Sequence, residues 1–154
     1  VISLSTSSQA TSGTFSLTVN NLARETKLVS EGFASTSTTI SSGDLNIGVG
    51  DASVTITIDS SNNSLDGLRL AINNSGLDVK ASFLNDGSSS NPVRLVVSGT
   101  KSGVDNDVTI GVTGFLFGAG TTNLVNFIET QSAQNANFVT CSRIGLQWNS
   151  ICHH

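Results

Sequence analysis

Cys141, Cys152, His153 and His154 are the only cysteines and histidines of the 154-residue chain, so the side chains best suited to metal binding crowd its C-terminal end. A dedicated zinc site draws on two separated ligand pairs, each with short internal spacing, and these four residues do not form that pattern. The two terminal histidines instead read as an expression tag or its remnant. The cysteines stand eleven positions apart, close enough to meet if residues 138–151 fold back as a hairpin, but two cysteines in a chain this long are no disulfide framework. Spacing alone leaves their pairing open.

Covalent catalysis needs a nucleophile, a base and an orienting group held together. Hydroxyls are abundant, yet no internal histidine is present to activate one and Gly-x-Ser-x-Gly does not occur. Eleven carboxylates are spread along the chain with no spacing that sets a pair apart as acid and base, so they read as solvated turn and strand residues. Asp105-Asn106-Asp107 has the alternating oxygens that begin a calcium loop, but the later glycine and bidentate glutamate are missing and a turn is the expectation. Gly118 and Gly120 lack the spacing of a phosphate-cradling loop. Asn62-Asn63-Ser64 and Asn73-Asn74-Ser75 match the glycosylation acceptor pattern, which arises readily by chance in so Asn- and Ser-rich a chain. No cofactor, metal or enzyme activity is expected.

Ser, Thr, Asn and Gly make up nearly half of the residues, whereas charged residues are 12 % and aromatics 5 %, with no Tyr or Met. The apolar residues alternate in an orderly way, which argues for a β-rich surface protein rather than a disordered one. Net charge is -4, and the seven Lys and Arg stand singly, so there is no basic stripe for nucleic acid and no polybasic membrane anchor. No apolar run is long enough to span a bilayer, and the N-terminus lacks a charged segment followed by an apolar one. A soluble fragment without membrane insertion is expected.

The elements follow from periodicity. Phe15, Leu17 and Val19 alternate with polar neighbours as in a half-buried strand. Residues 21–33 are ambiguous, since Leu22, Val29 and Phe33 fit either a helical face or a bulged strand. Leu45-Ile47-Val49 and Val54-Ile56-Ile58 form a hairpin across Gly50-Asp51-Ala52-Ser53. Ser61 to Ser64 offer caps for a short helix with Leu65, Leu68 and Ile72 on one face, ended by Asn73-Asn74-Ser75-Gly76. Too short to persist alone, that helix must lie on a sheet. The sheet continues with Val79, Ala81 and Phe83, turns at Asn85-Asp86-Gly87 and returns as Val93, Leu95 and Val97, with Val108, Ile110 and Val112 beyond. Leu65, Leu68, Ile72 and Phe83 are the expected core. The fold class is α+β, predominantly antiparallel β, with a small β-β-α-β-β module over 38–120 inserted into or joined to a second small β module made of 1–37 plus 121–154.

The wording of these segments carries a resemblance. Gly13-Thr-Phe-Ser-Leu-Thr-Val-Asn-Asn-Leu-Ala-Arg24 with Lys27-Leu-Val-Ser30, then Leu65-Asp-Gly-Leu-Arg-Leu-Ala-Ile-Asn-Asn74, Val79-Lys-Ala-Ser82, Asn85-Asp-Gly87, Arg94-Leu-Val-Val-Ser98 and Lys101-Ser-Gly103, resembles the FliD family of bacterial flagellar filament-cap proteins and the flagellin-type "IN" module within it. Gln131-Ser-Ala-Gln-Asn-Ala-Asn-Phe138 is similar to the stretch where that family's chain leaves its distal head. The heptad-bearing helices at both ends of full-length members have no counterpart here, and the pattern departs from Thr140 onward, with Cys141 and Trp148 fitting it poorly. The resemblance implies a head fragment of a structural protein that self-associates into a ring at the distal end of the flagellum, outside the cell. It implies flagellin as a partner, contact with host mucus in some members, and export through the flagellar channel in place of a signal peptide. Ring subunits bury surface against one another, and Phe115, Leu116 and Phe117 are candidates for such contact, with ordinary core as the alternative. The competing class is a stand-alone surface adhesin or carbohydrate-binding module, for which Trp148 is the only Trp and no Tyr is present.

Overall fold

A computed structural model gives the fold and describes residues 8, 14–113, 125–143 and 151–153. Among them are ten strands and one α-helix, with every strand pairing antiparallel. The chain divides into two compact units, one formed by residues 1–22 with 136–154 and the other by the continuous stretch 23–135 between them.

The larger unit holds two sheets. In the first, β3 (Gly43–Val49) lies between β4 (Ala52–Ile58) and β7 (Val108–Thr113). The β3–β4 turn has only two residues, Gly50 and Asp51, because Val49 pairs with Ala52. Gly50 takes a φ of 54°, the left-handed first position that a tight two-residue hairpin turn reserves for glycine. The second sheet runs β5 (Val79–Asn85), β6 (Val93–Gly99), β2 (Lys27–Ser30), β8 (Phe127–Gln131). The strands around the helix therefore belong to two sheets rather than one: Val108, Ile110 and Val112 pair with β3 and not with β6.

Residues 21–33 resolve as extended chain. β2 pairs on one side with β6 and on the other with β8, and isolated bridges Arg24–Gln134 and Phe33–Val93 continue the run. A short segment with two flanking partners satisfies its backbone by ladder bonds, which outweighs a sequence period compatible with a helix. This pairing ties residues 23–37 and 125–135 into the larger unit.

The helix α1 (Leu65–Asn73) starts where Ser64 accepts a hydrogen bond from the Gly67 N–H through its Oγ, 3.0 Å away. Asp66 sits in the first turn, where the exposed amides favour negative charge. Leu65, Leu68 and Ile72 point inward, and the helix packs mainly on β5 and also touches β4. One hydrophobic cluster takes Leu45, Ile47, Ile56 and Ile58 from one sheet, Leu28, Ala81, Leu95 and Val97 from the other, and the three helix residues. Phe83 is half-buried at its margin, with the Arg69 guanidinium 5.4 Å over its ring.

In the smaller unit β9 (Asn137–Arg143) lies between β1 (Thr14–Asn21) and β10 (Ile151–His153). β1 is a strand as its alternation predicts, but Leu17 and Val19 are 41 % and 47 % exposed rather than turned into a core. Among the described residues, every member of the buried hydrophobic cluster lies between Leu28 and Val125, in the larger unit.

Candidate functional site

Among the described residues no three His, Cys, Asp or Glu side chains gather as a metal site, and no buried side-chain nitrogen or oxygen lacks a partner. What the described residues offer is surface. The clearest is the outer face of the β5-β6-β2-β8 sheet. Val29 pairs with Val96 on one side and Ile128 on the other, and Leu84 pairs with Arg94 beside them. Successive strand residues point to opposite faces, so these residues lie opposite the inward Leu28, Val97 and Phe83. Ile128 is 67 % exposed and Leu84 48 %, while Val29 and Val96 are half-buried.

Ion pairs and polar side chains surround this row. Lys27 reaches Glu25 at 3.1 Å, and Arg94 Nε reaches Asp86 Oδ2 at 2.6 Å. Arg94 Nη1 also donates to the Ser30 carbonyl, which ties the β5–β6 turn to β2. The Asp86 carboxyl is held down at about 2 by hydrogen bonds from Ser88 and then by Arg94. Lys101 lowers Asp78 by hydrogen bonding, and Glu25 is lowered by a backbone N–H and then by Lys27. Solvent reaches all three carboxylates and each is lowered from its ordinary value, so they are ordinary anions at neutral pH and their pairs organise turns.

Two polar side chains, buried Thr26 and exposed Asn73, fix the sheets behind this face. Thr26, fully buried, donates through Oγ1 to Asp107 at 2.5 Å and accepts the Val108 N–H at 3.1 Å, joining the chain entering β2 to the start of β7. Asn73 at the end of α1 donates to the Ala81 carbonyl at 3.0 Å and accepts the Ala81 N–H at 2.8 Å. Its amide thus occupies the open edge of β5 as a neighbouring strand would.

Of the residues singled out from the sequence, Leu65, Leu68 and Ile72 are buried and come together, and Phe83 lies at their margin. They are framework and form no surface. Phe115, Leu116 and Phe117 lie outside the described residues. Asp105 and Asn106 fall in a 3₁₀ turn, Val104–Asn106, and Asp107 leads from it into β7. Sequence reasoning passed over the outer sheet face, although a signal was present. Each strand of this sheet carries two consecutive apolar residues, Leu28-Val29, Phe83-Leu84, Val96-Val97 and Phe127-Ile128, and such a pair must place one apolar side chain on each face.

No family model matches the chain. Similarity to four single proteins identifies its kind. Over 116 residues, 73 % of the chain, it is 40 % identical to the B-type flagellar hook-associated protein 2 of Pseudomonas aeruginosa, and over 117 residues it is 34 % identical to flagellar hook-associated protein 2 of Escherichia coli K12. Its fold matches the crystal structure of the D2-D3 domains of the E. coli flagellar cap protein FliD with a TM-score of 0.68, at 29 % identity over 88 % of this chain and 74 % of that one. The Bdellovibrio bacteriovorus flagellar cap protein FliD matches with a TM-score of 0.67 at 30 % identity, covering 82 % of this chain and 73 % of that one. Antiparallel and mostly β, with one α-helix among the described residues, this chain is of the same class as the D2-D3 domains of flagellar cap proteins. It belongs to the FliD family of flagellar hook-associated proteins. The chain spans about a quarter of the length of the curated relatives it matches.

Proposed function

We propose that the chain is the head part of a filament cap that sits at the distal end of a bacterial flagellum and promotes assembly of exported flagellin. In the full-length protein, self-association would set these heads around a ring, outside the cell and at the tip, reached through the flagellar export channel. The observation that carries this reading is the match to the D2-D3 domains of a flagellar cap protein over 88 % of the chain. Such a role needs contact surfaces and no catalysis, and the outer face with Val29, Val96 and Ile128 is a surface of that kind. Phe115, Leu116 and Phe117 complete the proposed contact set. The cap head also adheres to host mucus in this proposal, a role that the Ser-, Thr- and Asn-rich composition suits.

Motility rescue tests the central claim. In a flagellated host lacking its own cap gene, the full-length protein is expected to restore filaments and swimming, with labelled protein at the filament tips. Full swimming after deletion of residues 1–154 from that protein would overturn it. Retention of the fragment on mucin-coated wells tests the adhesive part separately, and its absence there would remove adhesion while leaving the cap role standing.

A further inference from the structure

We propose that Cys141 and Cys152 form an intramolecular disulfide that staples β10 to β9. The register places the two residues directly opposite each other, between the pairs Ile151–Ser142 and His153–Thr140. Directly opposed residues of an antiparallel ladder have Cα atoms about 4.5 or 5.5 Å apart, depending on the kind of pair, and both values fall inside the roughly 4.4–6.8 Å that a disulfide spans. The spacing along the chain left this pairing open, and the register supplies what spacing lacked.

The location gives the bond a purpose. β10 is three residues long and, among the described residues, has a partner on one side only and ends the sheet. Isolated small sheets are marginal in water, and the described residues of this unit contribute nothing to the buried hydrophobic cluster. A covalent tie restricts the unfolded chain and does not depend on a core. The chemistry is thiol–disulfide exchange with a small-molecule disulfide such as oxidised glutathione. One cysteine thiolate attacks it, forming a mixed disulfide and releasing one glutathione thiol. The second cysteine thiolate then displaces the other glutathione, so two electrons and two protons pass from the cysteine pair to the glutathione pair.

Incubating the 154-residue chain with oxidised glutathione, denaturing it and alkylating free thiols provides the test. The expected result is loss of both alkylatable thiols, an intact mass lower by two hydrogen atoms, and a proteolytic peptide containing Cys141 joined to one containing Cys152. Cys141→Ser and Cys152→Ser variants, lacking the second thiol that displaces glutathione, should each stop at the mixed disulfide and carry one glutathione adduct, while keeping the circular dichroism of the parent chain. Two alkylated cysteines in the oxidised parent, a persistent glutathione adduct on either one, or a disulfide-linked dimer would each overturn the proposal.

Discussion

Gly67 shows how one residue can be chosen against its own local preference. Inside a helix, glycine costs about 1 kcal/mol relative to alanine, yet a Cβ at Gly67 would overlap the Asn62 carbonyl oxygen of the loop that enters α1. Backbone cannot yield as a flexible side chain can, so Gly67→Ala is expected to lower stability despite its better propensity, read as a reduced midpoint in urea unfolding. Asp86 sets a pH dependence at the same scale. Its folded value, lowered from 3.8 to about 2, means that the pairing with Ser88 and Arg94 stabilises the fold fully above about pH 4 and is lost as pH falls toward 2. Thermal unfolding of Asp86→Asn beside the parent chain should show a lower Tm at pH 7 and a difference that closes as the pH approaches 2.

At the scale of elements, α1 and its sheets depend on each other. Nine residues of helix do not persist alone in water, so its stability comes from seating Leu65, Leu68 and Ile72 in the core. Leu68→Ala is expected to cost about 2–5 kcal/mol through lost transfer energy and the cavity left behind, measurable by denaturant titration. Thr26→Val should cost about 1–3 kcal/mol although it adds apolar surface, because the Val108 N–H would lose its acceptor in a buried place. The hairpin and the helix were legible in the sequence, since Gly50, Ser64 and the Leu65, Leu68, Ile72 spacing encode their geometry within a few residues. β2 was not. Its neighbours β6 and β8 lie about 65 and 100 positions further on, and no local period carries information about partners that distant.

For the whole molecule, the two units differ in what holds them. The larger has a hydrophobic cluster drawn from both sheets and α1, whereas the described residues of the smaller contribute no side chain to it and leave Leu17, Val19 and Phe138 exposed. Amides of β1 and β9 are therefore expected to exchange with solvent faster than those of β3 and β6, and native-state hydrogen exchange would read the contrast directly. Ile128→Glu tests the outer face without disturbing that core: at 67 % exposure the change should leave Tm nearly unaltered, while swimming restored by the full-length protein is expected to fall.

Sequence by itself determined the class of fold, the helix with its caps and inward face, the tight β3–β4 hairpin, and the wording shared with flagellar caps, because each of these is written in residues close together along the chain. Tertiary structure decided that the strands divide between two sheets, that Val29, Val96 and Ile128 form one row, that Asn73 closes the edge of β5, and that Cys141 faces Cys152 in register. Those outcomes depend on which distant segments pair and in what register, and a shift of one residue would send every side chain of a strand to the other face.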